Sequence, residues 1–247
     1  LLIYQRQRVY LIIILKCSFQ IKLRIWATSM KIANRNIFID FDGTLVDIAP
    51  RHYRVYKKCV EKMGGTPLDQ KKYWELKRDN ISWNELLPMS GLEVNNRDDY
   101  LKLFIDRIES LEELYRDELF VDSLSALKKL SSNDNKLYLL SLRRNSDALD
   151  KQIEKLGIGC FFEKILSGHS DTKEGTLLKK ADIIKQTIDN PGDSIIIGDT
   201  EADVAAAQQL NATSIALLSG IRSKEFLKSM EPDYLVDGIG DVANINF

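Results

Sequence analysis

The chain has 247 residues, with 35 basic and 36 acidic side chains and a formal charge of −1. Hydrophobic residues make up 44 % of it and charged residues 29 %, which fits a soluble globular protein and excludes collagen-like, low-complexity and disordered classes. The balanced charge argues against a protein that binds nucleic acid by neutralising phosphates.

Residues 1–29 differ from the rest of the chain in charge. They carry five basic residues and no acid, so the remainder sums to −6. Their longest apolar run, Val9–Leu15, is far shorter than the roughly 20 residues that span a bilayer, and we expect no membrane partner. Three interpretations stay open: sequence upstream of the natural start, a transit peptide, or a basic surface-lying segment. The first Met, Met30, favours the first of these, and we predict that residues 1–29 lie outside the fold.

The cysteines and histidines are few and widely spaced. An odd number of cysteines without a CxxC pair indicates reduced thiols and a cytoplasmic protein rather than a disulfide framework, and the same spacing argues against zinc. These residues are Cys17, Cys59, Cys160, His52 and His169.

Short apolar runs alternate with amphipathic helices along most of the chain. Continuous apolar runs indicate strands covered on both faces, as in a doubly wound parallel sheet of an α/β protein. The predicted strands are Ile37–Ile39, Leu137–Leu140, Lys164–Leu166, Ile195–Ile197, Ile215–Leu218 and Tyr234–Val236. Helical spacing is seen in Leu149, Ile153 and Leu156, and again in Leu177, Ala181, Ile184 and Ile188.

Residues 48–121 interrupt this alternation with helical periodicity and no convincing strand. We predict a small helical domain inserted after the first strand of a core made of residues 30–47 and 122–247. It would lie above the carboxyl ends of the strands, where doubly wound sheets bind ligands. Its two apolar stripes are Tyr53, Tyr56, Val60 and Met63, then Leu101, Phe104, Ile105, Ile108 and Leu111.

Two carboxylates follow the first predicted strand directly. Asp40 would lie at its carboxyl edge, Asp42 two residues on, and Gly43 would permit a sharp turn. A capping turn would explain a single Asp, but two acids this close repel each other unless a cation or a proton separates them. The spacing therefore indicates chemistry rather than capping.

A second acidic pair follows the strand Ile195–Ile197. Asp199 leaves the strand end, and Asp203 falls at the start of a helix, where an acid also serves as an ordinary cap. If the two strands are neighbours, Asp40 and Asp199 converge and supply the oxygen ligands that Mg²⁺ prefers.

Candidate phosphate-handling residues lie between the two acidic motifs. Ser141, Leu142 and Arg143 mark a strand-to-helix junction, where a hydroxyl, free backbone N–H groups and a guanidinium hold phosphate well. A lysine near the next helix would neutralise charge on a nucleophile and on phosphoryl oxygens. The candidates are Lys173, Lys179 and Lys180.

In this order the segments resemble the motifs of the haloacid dehalogenase-like hydrolase superfamily, and the insert resembles the helical cap of its phosphoglycolate phosphatase and β-phosphoglucomutase branch. The four matching segments are Asp40-Phe-Asp42-Gly43-Thr44-Leu, Leu140-Ser141-Leu142-Arg143, a following Lys, and Gly198-Asp199-Thr200-Glu201-Ala202-Asp203. The resemblance runs from about Lys31 to the C-terminus. It departs from many members at Ser141-Leu-Arg143, where they have Thr-Asn, and in the short loop at Asn190.

The resemblance implies a Mg²⁺-dependent phosphatase that acts on a small phosphorylated metabolite. Asp40 would be the nucleophile that forms an aspartyl-phosphate, and Asp42 the general acid–base that also offers its carbonyl to Mg²⁺. Asp199 would be a further metal ligand and Asp203 would support the metal or the Lys, for which Lys180 is favoured over Lys173 and Lys179. Ser141, Leu142 and Arg143, with Gly43 and Thr44, would bind the substrate phosphate. Substrate contacts from the cap would come from Arg51, His52, Trp74, Lys77 and Arg78.

Three alternatives stay open at this point: a sugar-phosphate mutase, a phospho-receiver domain and a silent binding protein. A sugar-phosphate mutase would use the same aspartyl-phosphate, whereas a dehalogenase would need no acid at Asp42. A phospho-receiver domain lacks a place for the insert, and a silent binding protein would not need every catalytic residue type. The chain is expected to be a monomer or a homodimer.

Overall fold

The computed structural model describes residues 34–132, 134–169, 172–242 and 244–245, except for the side chain of Lys173. The basic segment 1–29 lies outside these residues. In chain order the strands are β1 Asn36–Ile39, β2 Val46–Asp47, β3 Glu118–Leu119, β4 Lys136–Ser141, β5 Lys164–Ser167, β6 Ile195–Gly198, β7 Thr213–Leu217 and β8 Tyr234–Val236.

A six-stranded parallel sheet forms the centre of the molecule, in the order β5-β4-β1-β6-β7-β8. All six predicted strands are present, which confirms the doubly wound α/β prediction. Strand β1 lies in the middle, paired with β4 on one side and β6 on the other. The chain order reverses at β1, and ligands bind doubly wound sheets in the crevice at such a point.

Helices cover the sheet and account for the burial of its apolar strands. The helices are α1 Ala49–Lys62, α2 Gln70–Arg78, α3 Trp83–Met89, α4 Arg97–Ile108, α5 Leu111–Leu114, α6 Ser123–Ser131, α7 Ser146–Leu156, α8 Lys173–Thr187, α9 Glu201–Leu210, α10 Lys224–Ser229 and α11 Ile239–Val242. Both predicted apolar repeats fall on helices, the first on α7 and the second on α8, apart from Ile188, which follows the end of α8. None of the described helices combines the length and the apolar character that a membrane span requires.

Helices α1 to α5 occupy the interruption after the first strand, and α1 to α4 share an apolar cluster of their own. At its centre the rings of Tyr56 and Tyr73 stack, with centroids 4.1 Å apart. Helix α4 turns Tyr100 and Phe104 into this cluster. The predicted stripe on α4 was wrong at Ile105, which is 40 % exposed because the aromatic side chains define the buried face.

The two chain crossings between the sheet and these helices form a short antiparallel pair, β2 with β3. Val46 lies opposite Leu119, and Asp47 opposite Glu118. The prediction that residues 48–121 contain no strand was wrong at Glu118–Leu119. A strand of two residues is too short to produce an alternation that a sequence pattern reveals.

Candidate active site

The carboxyl ends of β1, β4 and β6 bring three predicted site residues to one edge of the sheet. Asp40, Ser141 and Asp199 each end or follow one of these strands. The backbone N–H of Asp40 donates to the carbonyl of Ile197 over 2.8 Å, which continues the β1–β6 ladder up to the acid. A cavity of about 690 Å³ opens here between the sheet edge and helices α1 to α4, and Asp40, Ser141 and Lys180 line it.

Gly43 makes the predicted turn after the first acidic pair. Its φ is +79°, and a Cβ on it would lie 2.4 Å from Asp199 Oδ2, so both the backbone conformation and the space require glycine. The predicted phosphate contacts of Gly43 and Thr44 stay a prediction, and it has to account for the internal hydrogen bonds of both residues. The N–H of Gly43 donates to Val46 at 2.9 Å, and the Thr44 hydroxyl donates to Asp199 Oδ1 at 3.2 Å, so both donors are engaged within the protein.

Lys180 lies between two carboxylates at the centre of the site. Its ammonium donates to Asp40 Oδ1 and to Asp203 Oδ1, each over 2.6 Å, and the residue is 2 % exposed. Burial lowers the pKa of Lys180, but the two carboxylates outweigh it and hold the pKa above its usual range. Of the candidate lysines, the structure brings Lys180 to Asp40, whereas the side chain of Lys173 lies outside the described residues.

Asp203 combines the two interpretations that the sequence left open. One oxygen, Oδ1, accepts from Lys180, while Oδ2 accepts from the N–H and the hydroxyl of Thr200 at 3.1 and 2.6 Å. This is a capping box at the start of α9. The hydrogen bonds from Thr200 fix the Asp203 carboxylate. The fixed carboxylate in turn positions the Lys180 ammonium next to Asp40.

Asp199 is fully buried at the end of β6. Its Oδ2 accepts from the backbone N–H of Ile221 at 2.6 Å, in addition to the bond from Thr44 to Oδ1. Burial and the nearby charge of Asp203 raise the pKa of Asp199 to about 7. The sequence analysis missed the 218–223 loop, although its position directly after the predicted strand Ile215–Leu218 was a usable signal. Gly220 permits the loop's close approach, because a Cβ there would lie 1.9 Å from Asp199 Oδ2.

The acidic side chains fit a divalent cation. Asp40, Asp199 and Asp203 each place one oxygen within 4.8 Å of the others, and the ammonium of Lys180 contacts two of them, Asp40 and Asp203. Burial, Asp203 and Asp199 together raise the pKa of Asp40 well above its usual range in spite of Lys180. Crowded carboxylate oxygens with an excess of negative charge are the hard donor set that Mg²⁺ takes.

Asp42 has a different environment from the other acids. Arg143 donates to both of its oxygens, from Nε at 2.6 Å and from Nη2 at 2.7 Å, and Arg51 Nη2 contacts Oδ1 as well. Burial raises the pKa of Asp42, but the two guanidinium groups dominate and hold it well below its usual range. Asp42 is therefore an ionised carboxylate in this arrangement, without the proton that a general acid carries.

Ser141, Leu142 and Arg143 all line the cavity, as the phosphate-handling prediction requires. Ser141 is buried, and its hydroxyl oxygen accepts from the Arg143 N–H over 3.4 Å. Gln152 was not anticipated: its Oε1 accepts from Arg143 Nη1 at 2.6 Å and so fixes the guanidinium. A polar residue on the apolar face of α7 was the available signal, since Gln152 is fully buried there.

The five predicted contact residues of the helical segment divide by what they touch. Arg51 bridges Asp42 and Asp117, the latter through Nε at 2.9 Å from Oδ2. Arg78 donates to two carbonyls of the 218–223 loop, at 2.8 and 3.0 Å. Trp74 packs between the apolar clusters of the sheet and the helical segment. His52 and Lys77 line the cavity.

The fold and the site define a class of protein: an α/β protein whose buried carboxylates meet at the switch point of a parallel sheet. A family model described as haloacid dehalogenase-like hydrolase matches residues 35–211. The chain therefore belongs to the haloacid dehalogenase-like hydrolase family and is an enzyme, as the sequence motifs predicted.

Individual relatives match over most of their length. The chain is 25 % identical to a phosphoglycolate phosphatase of Synechococcus elongatus over 213 residues, covering 83 % of this chain and 94 % of that protein. It is 22 % identical to the pyrophosphatase PpaX of Oceanobacillus iheyensis, covering 85 % and 96 %. A haloacid dehalogenase-like hydrolase structure from Streptococcus pneumoniae shares the fold with a TM-score of 0.68, at 23 % identity and covering 85 % and 97 %.

Proposed function

We propose that the chain is a Mg²⁺-dependent phosphatase that hydrolyses a small phosphorylated metabolite through an aspartyl-phosphate on Asp40. The observation that carries this proposal is the position of Asp40. Its carboxylate lies at the centre of the sheet edge, 2.6 Å from Lys180 and beside Asp199, and it lines a cavity large enough for a metabolite. The family and the names of the two relatives support the same reaction.

In the first step a carboxylate oxygen of Asp40 attacks the phosphorus. The new O–P bond forms as the bond to the leaving oxygen breaks, and a proton passes from Asp42 to that oxygen. Lys180 offsets negative charge on Asp40 and on the phosphoryl group as they approach. Ser141 and the Leu142 amide hold the phosphoryl oxygens at the end of β4.

In the second step water attacks the phosphorus of the aspartyl-phosphate. Asp42 accepts the proton from this water, the O–P bond to Asp40 breaks, and inorganic phosphate leaves. Asp40 returns to its carboxylate form and Asp42 to its protonated form. Asp40 thus acts as nucleophile and then as leaving group, while Asp42 acts as acid and then as base at the same phosphoryl group.

The ion pairs of Asp42 add a requirement to this cycle. Asp42 carries a proton only after its oxygens leave Arg143 and Arg51, because both guanidinium groups favour the ionised form. A bound phosphate supplies a competing anion for Arg143, which lies in the same cavity wall as Ser141. Substrate binding therefore weakens the Arg143 pair, one of the two ion pairs that must open before Asp42 takes part in proton transfer.

The metal site and the helical segment complete the proposal. Asp40, Asp199 and the carbonyl of Asp42 would hold Mg²⁺, which supplies positive charge to the phosphoryl oxygens during the attack. Asp203 keeps Lys180 in place. We propose that residues 48–121 act as a cap that excludes water from the site and selects the substrate.

A screen of phosphate esters with and without Mg²⁺ tests the proposal. We expect inorganic phosphate to be released from at least one ester in the presence of Mg²⁺ and not after chelation. Hexose 1-phosphates are followed for isomerisation in parallel, because a mutase uses the same intermediate. Isomerisation without net phosphate release would contradict the assignment as a phosphatase.

Replacing Asp199 is expected to weaken magnesium binding. In Asp199→Asn the concentration of Mg²⁺ that gives half-maximal activity should rise by ~10- to 100-fold, because an amide is a poorer ligand than a carboxylate. The Mg²⁺-dependent rise in melting temperature should shrink in parallel, which provides a readout without turnover. Asp189→Asn, at an exposed position, is the matched control. Unchanged magnesium dependence in Asp199→Asn would exclude this residue as a ligand.

Replacing Asp42 should separate substrates by their leaving groups. Asp42→Asn is expected to lower kcat for alkyl phosphates by ~10²- to 10⁴-fold, because the alkoxide then departs without a proton. Formation of the aspartyl-phosphate from p-nitrophenyl phosphate should change much less, since p-nitrophenolate is a stable anion. The measurement is the burst of p-nitrophenolate against steady-state phosphate release. Equal losses in both would remove Asp42 from the role of acid.

A further inference from the structure

Lys77 differs from the other cationic side chains of the cavity. It is half-buried on α2, and its ammonium lies 4.5 Å from the centroid of the Trp83 ring. Among the described residues no carboxylate makes an ion pair with it. Carboxylates pair with the other cavity-lining Lys and Arg side chains: Asp42 with Arg51 and Arg143, Asp40 with Lys180, Asp98 with Arg97, and Glu201 with Arg222.

His52 lies in the same part of the cavity, on the neighbouring helix α1. Its Nδ1 is buried, and in the described part of the chain it has no hydrogen-bond partner. The ring is held by Trp74 and Phe104, with centroids 6.1 and 5.9 Å away. Burial, Lys77 and Arg51 lower the pKa of His52 well below its usual value, so the ring is neutral at neutral pH. A neutral imidazole offers one donor and one acceptor to a ligand.

These two side chains form a polar site on the part of the cavity wall that helices α1 and α2 provide. A cation packed on an aromatic ring in a partly dehydrated wall lacks the hydration and the counter-ion that normally stabilise it. An anionic ligand group restores both the charge balance and the hydrogen bonds. The phosphate-handling residues line the same cavity from the sheet edge, so a ligand held there shares one cavity with Lys77 and His52.

We propose that Lys77 determines the substrate class by binding a second anionic group, one that is not transferred, on the remote end of the phosphorylated substrate. The inference rests on the proposed phosphatase function. Its chemistry is shared by a carboxylate and by a second phosphoryl group, and His52 adds a neutral hydrogen bond to either. Because this contact is remote from the reacting atoms, its binding energy contributes to positioning the phosphoryl group.

Substrates that differ only at the remote end test the inference. We compare 2-phosphoglycolate with 2-hydroxyethyl phosphate, its neutral analogue, and pyrophosphate with methyl phosphate. The wild-type protein should favour at least one anionic member over its neutral partner by ~10-fold or more in kcat/KM. A preference for 2-phosphoglycolate identifies the group as a carboxylate, and a preference for pyrophosphate identifies it as a phosphoryl group.

Substitutions at position 77 connect this preference to the residue. Lys77→Met should lower kcat/KM for the preferred anionic substrate by ~10- to 100-fold, the effect of losing one hydrogen bond to a charged group, and leave the neutral ester within about twofold. Lys77→Arg should retain most of the activity. Lys71→Met, an exposed lysine on the same helix, is the matched control. Equal losses on anionic and neutral esters, or no preference in the wild type, would overturn the inference and leave the phosphatase function standing.

Binding without turnover distinguishes the two proposals. Calorimetry with 2-phosphoglycolate and pyrophosphate is carried out on Asp40→Asn protein, with and without Lys77→Met. Weaker binding on loss of Lys77 supports the inference even if the wild type releases no phosphate, an outcome that would refute the phosphatase function alone. Binding that is unchanged by Lys77→Met overturns the inference regardless of activity.

The pH dependence of the anionic substrate provides an independent readout. Burial and Arg222 lower the pKa of Lys77 to about 8, although Glu201 opposes them, and the facing His52 is neutral in this range. Below pH 8 the ammonium is charged and binds the anion, and above it the free enzyme loses that charge. We expect kcat/KM for the anionic substrate, relative to that for the neutral ester, to fall above about pH 8 in the wild type. In Lys77→Met this relative fall should be absent.

Discussion

Asp40→Asn is expected to lose phosphate release by ~10⁴-fold or more and to fold as well as the wild type. An amide does not attack phosphorus, so neither the aspartyl-phosphate nor its hydrolysis occurs. The fold should tolerate the change because the ionised form of Asp40 is itself unfavourable. Burial, Asp203 and Asp199 raise its pKa, and asparagine removes that buried charge while Lys180 keeps its bond to Asp203.

Phosphate release and melting temperature are measured together to separate these effects. Asp150→Asn, an exposed acid on α7, serves as the control and should match the wild type in both. Trapping of radiolabelled phosphate on the protein should succeed in the control and fail in Asp40→Asn. If the Asp40 variant still releases phosphate at a wild-type rate, another residue is the nucleophile.

The pH dependence of stability provides a further check on Asp40. A carboxyl group with a raised native-state pKa binds its proton more tightly in the folded than in the unfolded chain. Metal-free wild-type protein should therefore lose stability as the pH rises above about 4, where the unfolded group ionises first. Asp40→Asn should show a smaller loss over the same range, measured by urea denaturation at successive pH values.

The sequence was sufficient to predict the sheet and the convergence of its acidic residues. Continuous apolar runs at Ile37–Ile39 and Ile195–Ile197 predicted buried parallel strands, and the structure pairs those strands directly. Strands β1 and β6 are adjacent because the chain order reverses at β1, which lies between the two halves of the doubly wound sheet. Asp40 and Asp199 then meet because side chains at the ends of neighbouring parallel strands share one edge.

Side-chain pairing across the insert was beyond sequence reasoning. Nothing in the spacing of Arg51 from Asp42 reveals that the first helix of the insert turns this guanidinium onto the acid. The second partner, Arg143, was predicted as a phosphate clamp, but its contact with Asp42 depends on Gln152, which fixes one end of the guanidinium. These contacts depend on packing between elements that are distant in sequence.

The internal hydrogen bonds of Gly43 and Thr44 were likewise beyond sequence reasoning. Gly43 and Thr44 belong to a motif with several polar groups, and sequence alone does not say which of them face a ligand. Here the Gly43 N–H donates a hydrogen bond within the turn after Asp42, and the Thr44 hydroxyl donates one to Asp199. Thr44 therefore contacts a candidate metal ligand, and the assignment of the phosphate to residues at the end of β4 stays a proposal.

Lys180→Met should cost both stability and activity, because this ammonium contacts two of the three clustered carboxylates. Removing one member of a buried ion-paired group typically destabilises by about 3–5 kcal/mol, since the remaining charges stay buried without compensation. We expect a loss of that order in metal-free urea denaturation and a drop in kcat of ~10²-fold or more. Added Mg²⁺ should recover part of the stability but not the activity, because it offsets the excess negative charge without replacing the donor at Asp40.

Lys179→Met is the matched control for this experiment, since Lys179 precedes Lys180 on α8 and has no ion pair with Asp40 or Asp203 in the described structure. Its stability should stay within about 0.5 kcal/mol of the wild type. Equal effects in the two variants would mean that α8 needs a lysine's length or charge in general. A loss confined to Lys180→Met ties the lysine motif to one position, because only that ammonium holds the proposed nucleophile and the α9 capping residue at once.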